Sequence, residues 1–274
     1  MALEVRDQDA DIWVWDFVRE TLTRVTHDPG IDWAPAWTPD GRRLVFGSQL
    51  GGGVSSLFMR AADGSGAVER LTHSGNIQLP SAVSPDGKHV IFVEGSAATT
   101  EDVMMVTLDK DHRVQPLVQT SFFEENGEIS PDGRWLAYQS NDSGQAQISV
   151  RPFPDVNNGH WQVSTAGGIQ PLWARNGEEL FYLAPNGALM SVRIEPGTTW
   201  RAAPPTTVLN GQYFFGGALL AGAPFLTRTY DASPDGKRFL MIKDAGVAGP
   251  AVAPASIVVV QNWLEELKRL VPTK

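Results

Sequence analysis

Short apolar runs recur along the chain, each following a polar turn phrase. They are Arg43-Leu-Val-Phe46, His89-Val-Ile-Phe-Val93, Trp135-Leu-Ala-Tyr138, Leu180-Phe-Tyr-Leu183 and Phe239-Leu-Met-Ile242. Their length and their β-branched and aromatic content predict strands rather than helices. The turn phrases are Thr38-Pro-Asp-Gly41, Ser84-Pro-Asp-Gly87, Ser130-Pro-Asp-Gly133 and Ser233-Pro-Asp-Gly236, with Ala174-Arg-Asn-Gly177 as a degenerate copy. Proline presets the first turn position, and Asp or Asn before Gly supplies the backbone geometry of a tight reversal. Each phrase is therefore predicted to join the first and second strands of a unit. A third strand follows at Ser56-Leu-Phe-Met59, Val103-Met-Met-Val106, Gln147-Ile-Ser-Val150 and Leu189-Met-Ser-Val192. A fourth ends in phrases such as Arg70-Leu-Thr-His73 and Pro116-Leu-Val118.

The third turn position falls at Asp40, Asp86, Asp132, Asn176 and Asp235, in steps of 46, 46, 44 and 59 residues. A period of roughly 40–50 residues is that of four-stranded propeller blades. Strands this short bury their faces only when the sheets stack radially. The expected fold is an all-β propeller of four-stranded antiparallel blades. At the start, Ala2–Arg6 reads as a second strand, Asp11-Ile-Trp-Val-Trp15 as a third and Thr23-Arg-Val-Thr-His27 as a fourth. At the end, residues 229–232, 238–242 and 256–261 read as first, second and third strands. Two closures fit: six blades with incomplete terminal ones, or five with one mixed blade. Incomplete closure would expose edges and favour a homodimer. Residues 262–270 read as a short helix capped by Asn262, packed on a propeller spanning 1–261.

Apolar residues make up 42% of the 274, enough for a buried core. Lys plus Arg is 22 and Asp plus Glu 31, a net charge of −9. That sign argues against nucleic-acid binding, which needs a basic face. With no cysteine, disulfide, thiolate-metal and cysteine-nucleophile chemistry are excluded. The longest apolar stretch, residues 247–260, is broken by Pro250 and Pro254 and falls short of the roughly 20 residues of a membrane span. The N-terminal residues have neither the basic nor the apolar region of a secretory signal.

The repeated Ser-Pro-Asp-Gly turn, the Leu-Val-Phe or Leu-Ala-Tyr strand after it and the Leu-Thr-His ending resemble the TolB-like, WD-type propeller repeats of bacteria, over about residues 10–245. The run from Asn126 to Asn141, followed by Val150-Arg-Pro-Phe-Pro154, is similar to the propeller C-terminal to some bacterial Ser/Thr kinases. That resemblance implies a sensor or protein-binding role. No His-Arg-Asp, Asp-Phe-Gly or glycine-rich strand–loop of a kinase occurs, so the chain is expected to be such a sensor region without its kinase. It implies a bacterial cytoplasmic chain as expressed, with the parent sensor domain extracytoplasmic.

Gly-x-Ser-x-Gly, a phosphate loop and His-Glu-x-x-His are all absent. What remains is the central channel. Residues two to six before each turn are expected to line it: Asp32, Trp33, Gln78, Glu124, Glu125, Asn126, Glu128, Gln170, Arg228, Tyr230 and Asp231. Asp32, Trp33, Gln78, Asn126, Gln170, Arg228 and Tyr230 form the expected ligand-binding set. Three carboxylates within Phe122-Phe-Glu-Glu-Asn-Gly-Glu128 repel one another unless solvated, paired or bound to a cation. The first reading is a solvated loop at the ring mouth, paired with Arg228. The second is a site for Ca²⁺ or another divalent cation on Asp32, Glu124 and Glu125. Two functions follow. One is a noncatalytic module binding a protein or small-molecule ligand at the channel mouth. The other is a hydrolase of esters, lactones or phosphotriesters, with water activated by Glu124, Glu125 or His73. A purely structural, oligomerising piece is the third reading.

Overall fold

The computed structural model describes residues 1–6, 10–211, 213, 227–243 and 256–260. Among these the secondary structure is entirely β, in six antiparallel sheets that form a propeller. The first sheet has three strands: β1 (Ala2–Arg6), β2 (Ala10–Asp16) and β3 (Thr21–Arg24). The next four have four strands each. They are β4 (Asp32–Trp37) to β7 (Glu69–Arg70), β8 (Gln78–Val83) to β11 (Val114–Val118), β12 (Glu124–Ile129) to β15 (Trp161–Gln162), and β16 (Ile169–Trp173) to β19 (Thr206–Leu209). The last has three: β20 (Tyr230–Ala232), β21 (Phe239–Lys243) and β22 (Ser256–Val260). Among the described residues the two terminal sheets have three strands each and share no strand pairing. The C-terminal helix expected over 262–270 lies outside the described residues.

The turn phrase performs the role its chemistry predicts. The Thr38 hydroxyl donates to Asp40 at 2.6 Å, and Asp40 accepts the Arg42 N–H at 3.0 Å. Ser84–Asp86 and Ser130–Asp132 repeat the 2.6 Å contact. The closing glycines sit at φ +66 to +73°, a region that favours glycine. Ala174 has no hydroxyl to offer, but Asn176 still accepts the Glu178 N–H at 3.0 Å. One fourth strand, β11 (Val114–Val118), ends where expected, but that of the second blade is shorter. β7 ends at Arg70, so Thr72 and His73 belong to the linker beyond it.

Each seam between neighbouring sheets holds its own apolar core. Ile12, Val25, Leu44 and Phe46 fill the first seam, and Val45, Leu57, Val90 and Phe92 the second. Ile91, Val103, Leu136 and Tyr138 fill the third, Ile148, Trp173, Leu180 and Tyr182 the fourth, and Phe181, Leu183, Phe239 and Met241 the fifth. Each such side chain contributes roughly 1.5–3 kcal/mol when fully buried. Burial pulls the Met1 ammonium down, and the Asp231 charge works against it.

The inner strands β4, β8, β12 and β16 share one irregularity. Their register slips between Trp33 and Ala36, Pro80 and Ala82, Glu125 and Glu128, and Ile169 and Leu172. Three of these bulges carry a non-glycine residue at positive φ: Ala34 (54°), Asn126 (53°) and Gln170 (56°). A bulge re-aims side chains at a rim. Here it turns polar residues of the inner strands toward the axis.

Candidate functional site

The bulges of the fourth and fifth blades join polar residues of the fourth, fifth and sixth blades into one belt. Gln139 Nε2 donates to Glu125 Oε2 at 2.7 Å. Gln139 Oε1 accepts Asn126 Nδ2 at 3.0 Å and the Gln170 N–H at 2.9 Å. Gln170 Oε1 accepts the Thr229 N–H at 2.9 Å, and Tyr230 donates its hydroxyl to the Gln170 carbonyl at 2.8 Å. Arg228 of the sixth blade pairs with Glu128 of the fourth, and Trp173 Nε1 donates to the Glu128 carbonyl at 3.1 Å. Burial pushes the Glu128 carboxyl up, and the Arg228 charge works against it. The belt leaves a cavity of about 10 Å³ among Leu79, Pro80, Val93, Glu125, Asn126 and Thr227. That is room for about one water.

The expected solvated acidic loop is corrected by the structure. Glu124, Glu125 and Asn126 are 1%, 7% and 8% exposed and lie in strand β12. They point into the belt and into the seam with the third blade, because the bulge turns them there. The expected pairing of Glu128 with Arg228 is present. The exposed part of the phrase is Phe122 and Phe123, at 41% and 45%. The Thr100 hydroxyl donates to the Phe122 carbonyl at 2.9 Å, and Phe123 N–H donates to Asn141 Oδ1 at 2.9 Å.

In that seam two further acids, Glu101 and Asp102 on β10 (Thr100–Thr107), join Glu124 and Glu125. They are 8% and 1% exposed. Asp102 Oδ2 accepts from Thr99 at 2.6 Å and from Gln119 at 2.9 Å. Glu124 Oε1 accepts from Thr120 at 2.6 Å. Glu101 Oε2, Asp102 Oδ1 and Glu124 Oε2 are buried with no partner. Burial, then the Asp102 charge, pushes Glu101 up. Burial likewise raises Glu124. Glu125 is pushed up to about 8, by burial first and the Glu101 charge second.

The remaining expected residues are dispersed. Asp32 is 3% exposed in the first seam, where burial raises its carboxyl against hydroxyls from Ser48 and Thr26. Trp33 is half-buried and donates Nε1 to Ser55 at 3.0 Å. Gln78 is buried, accepting from Thr72 at 2.5 Å and donating to Glu94 at 2.9 Å. His73 is exposed in the linker between the second and third blades. Asp32 and Glu124 stand two blades apart, and among the described residues no three acidic or histidine side chains are set to hold a metal ion. Sequence reasoning missed Glu101, Asp102 and Gln139. The signal was present as acids opening an otherwise apolar third strand, and as an amide where the matching second strands carry Gly47 or Val93.

The TolB beta propeller domain (PD40) family matches residues 1–149. Among solved structures, TolB from Acinetobacter baumannii superposes with a TM-score of 0.66 at 16% identity, over 92% of this chain and 57% of that one. The chain thus spans less than two thirds of that TolB. A puromycin-hydrolyzing peptidase from Mycobacterium tuberculosis gives 0.58 at 17% identity, over 85% of this chain and 40% of that one. The periplasmic gluconolactonase PpgL of Pseudomonas aeruginosa gives 0.52 at 15% identity, over 85% and 71%. The family match covers three of the turn phrases and the inner strands β4, β8 and β12, more than half of the chain, and the chain belongs to the TolB beta propeller domain family.

Proposed function

We propose that this chain is a noncatalytic recognition module that binds a protein partner on the ring face carrying residues 119–123. The supporting observation is the hydrogen-bonded axis. Among the described residues, side chains of the fourth, fifth and sixth blades hydrogen-bond to one another there, and the cavity beside Glu125 and Asn126 holds about 10 Å³, room for about one water. Beside it, two phenylalanines are held outward by hydrogen bonds to their own backbone groups. Rigid, exposed aromatics are the usual anchors of protein interfaces. The test compares capture of native partners by the wild type and by a Phe122→Ser, Phe123→Ser double variant. Loss of a specific captured protein in the variant supports the reading. Equal capture by both refutes it.

A hydrolase reading retains one observation. Glu125 lines the axial cavity and is held protonated near neutral pH, the state a general acid needs. One structural neighbour is a periplasmic gluconolactonase. Turnover of a sugar lactone or an aryl ester that Glu125→Gln abolishes would establish this reading.

A further inference from the structure

Among the four-stranded blades, the fifth has the longest connection between its third and fourth strands. Twelve residues, 194–205, separate β18 (Leu189–Arg193) from β19, where the other blades use six to eight (62–68, 108–113 and 153–160). The extra length folds back on itself as a small hairpin. Ile194 bridges Ala202, and the Glu195 N–H donates to the Arg201 carbonyl at 3.0 Å. Arg134 of the fourth blade ties the hairpin down. It donates Nη1 to the Gly197 carbonyl at 2.9 Å and Nε to Asp132 at 2.6 Å. Trp200 returns into the fourth seam, with ring centroids 5.4 Å from Trp135 and 6.0 Å from Trp173, edge to face with both.

A cavity of about 210 Å³ opens beside this hairpin. Its apolar lining is Trp135, Trp173, Trp200, Ile194, Pro131 and Pro196. Glu195 and Arg201 line it as well. They stand directly opposite one another across the hairpin, the arrangement in which unlike charges ordinarily pair. Yet they form no ion pair, and among the described residues neither side chain has a hydrogen-bond or ion-pair partner. The other charged groups lining the cavity are engaged. Asp132 holds Arg134, and Glu178 accepts from Asn176 at 3.2 Å. The cavity thus offers one free guanidinium and one free carboxylate over an apolar floor.

A guanidinium takes a carboxylate through paired hydrogen bonds, and a carboxylate takes an ammonium. A ligand of one sign satisfies one of the two groups and is repelled by the other. A zwitterion satisfies both. Size narrows the class further. At roughly 30 Å³ for each water, the cavity has room for about seven water-sized groups. That suits a branched aliphatic side chain with its amino and carboxyl groups at the mouth, and is too small for tryptophan or a dipeptide.

We propose that this cavity is a site for a free aliphatic α-amino acid, with the carboxylate on Arg201, the ammonium on Glu195 and the side chain against the tryptophan floor. Strand β12 has residues 119–123 before its first residue and the turn Ser130–Gly133 after its last. The cavity, which includes that turn, therefore lies on the ring face opposite the one proposed for protein binding, and the two sites stand or fall separately.

The probes are L-leucine, leucinamide and N-acetyl-leucine, read by calorimetry and thermal shift on the full chain. Leucinamide lacks the carboxylate and mimics the first residue of a peptide. N-acetyl-leucine lacks the ammonium and mimics the last. L-leucine is expected to bind and to raise the melting temperature, and each blocked form to bind at least about tenfold more weakly. Arg201→Gln and Glu195→Gln should each weaken L-leucine at least about tenfold. Both residues are exposed and have no partner to lose, so the ligand-free variants should melt with the wild type. Absence of binding by L-leucine, L-isoleucine and L-valine overturns the inference. So does equal binding of either blocked form, which would assign the site to a peptide end. Tighter binding of glycine betaine than of L-leucine, or leucine binding that both variants leave unchanged, overturns it too.

Discussion

The Glu125 carboxyl makes stability depend on pH in a specific direction. It is raised from an ordinary 4.5 to about 8 in the folded chain, by burial first and by the Glu101 charge second. Below the unfolded value both states are protonated and the group is neutral in the balance. Between about 4.5 and 8 the unfolded chain loses this proton while the folded chain keeps it. Stability therefore falls by about 1.4 kcal/mol per pH unit over that window and levels off above it. At pH 7 the loss from this residue is about 3 kcal/mol, and above pH 8 about 5 kcal/mol. Glu125→Gln removes the titration and keeps an oxygen to accept from Gln139 Nε2, now 2.7 Å from Glu125 Oε2. The measurement is urea unfolding of both proteins at pH 5, 6, 7, 8 and 9. Glu124 and Glu101, also raised, contribute slope of the same sign to both, so the difference between the proteins isolates Glu125. The glutamine variant is expected to overtake the wild type as pH rises and to hold a constant lead above 8. Parallel curves across the whole range would refute the reasoning.

Other consequences can be read with the same equipment. Arg228→Met strands the Glu128 carboxylate in the belt and should cost about 3 kcal/mol, with Glu128→Gln added to it recovering part of the loss in unfolding curves. Gly127→Ala places a methyl 2.7 Å from Ile91 Cγ2 and 2.8 Å from Val103 Cγ1. Overpacking of that kind costs about 1–3 kcal/mol and should lower the melting temperature. Ser84→Ala removes the hydroxyl that binds Asp86 at 2.6 Å and the His89 N–H at 3.0 Å, for a loss near 1 kcal/mol. Ala174→Ser should gain a fraction of that, since its turn is the one without the hydroxyl.

The two terminal blades show how far a repeat can be read along the chain. Ala2–Arg6 is a strand, and it pairs with β2 as a second strand pairs with a third. This follows from local chemistry: turn phrases, strand-length apolar runs and a period near 46 residues repeat the same information from blade to blade. The closure alternatives were equal in sequence terms because hydrogen bonding between the ends is not encoded in either end alone.

The candidate site divides in the same way. The inner-strand offset pointed to Glu125, Asn126, Gln170, Arg228 and Tyr230, which the belt brings around one axis, since strand position relative to a turn is a local property. It misjudged Phe122-Phe-Glu-Glu-Asn-Gly-Glu128 as a solvated loop. Three acids in five residues look like surface when their neighbours in space are unknown. Burial of Glu124 and Glu125 depends on β10 of the adjacent blade and on a bulge at Asn126, neither visible in the phrase itself.

Sequence alone determined the blade: its turn, its strand order, its period and the class of fold. Tertiary structure alone decided which acids share a seam, which of their oxygens go unpaired and which arginine crosses the axis to Glu128. Turns and strands arise from contacts a few residues apart. Charge balance in a seam arises between residues such as Glu101 and Glu125, which neighbouring blades bring together only once the sheets have stacked.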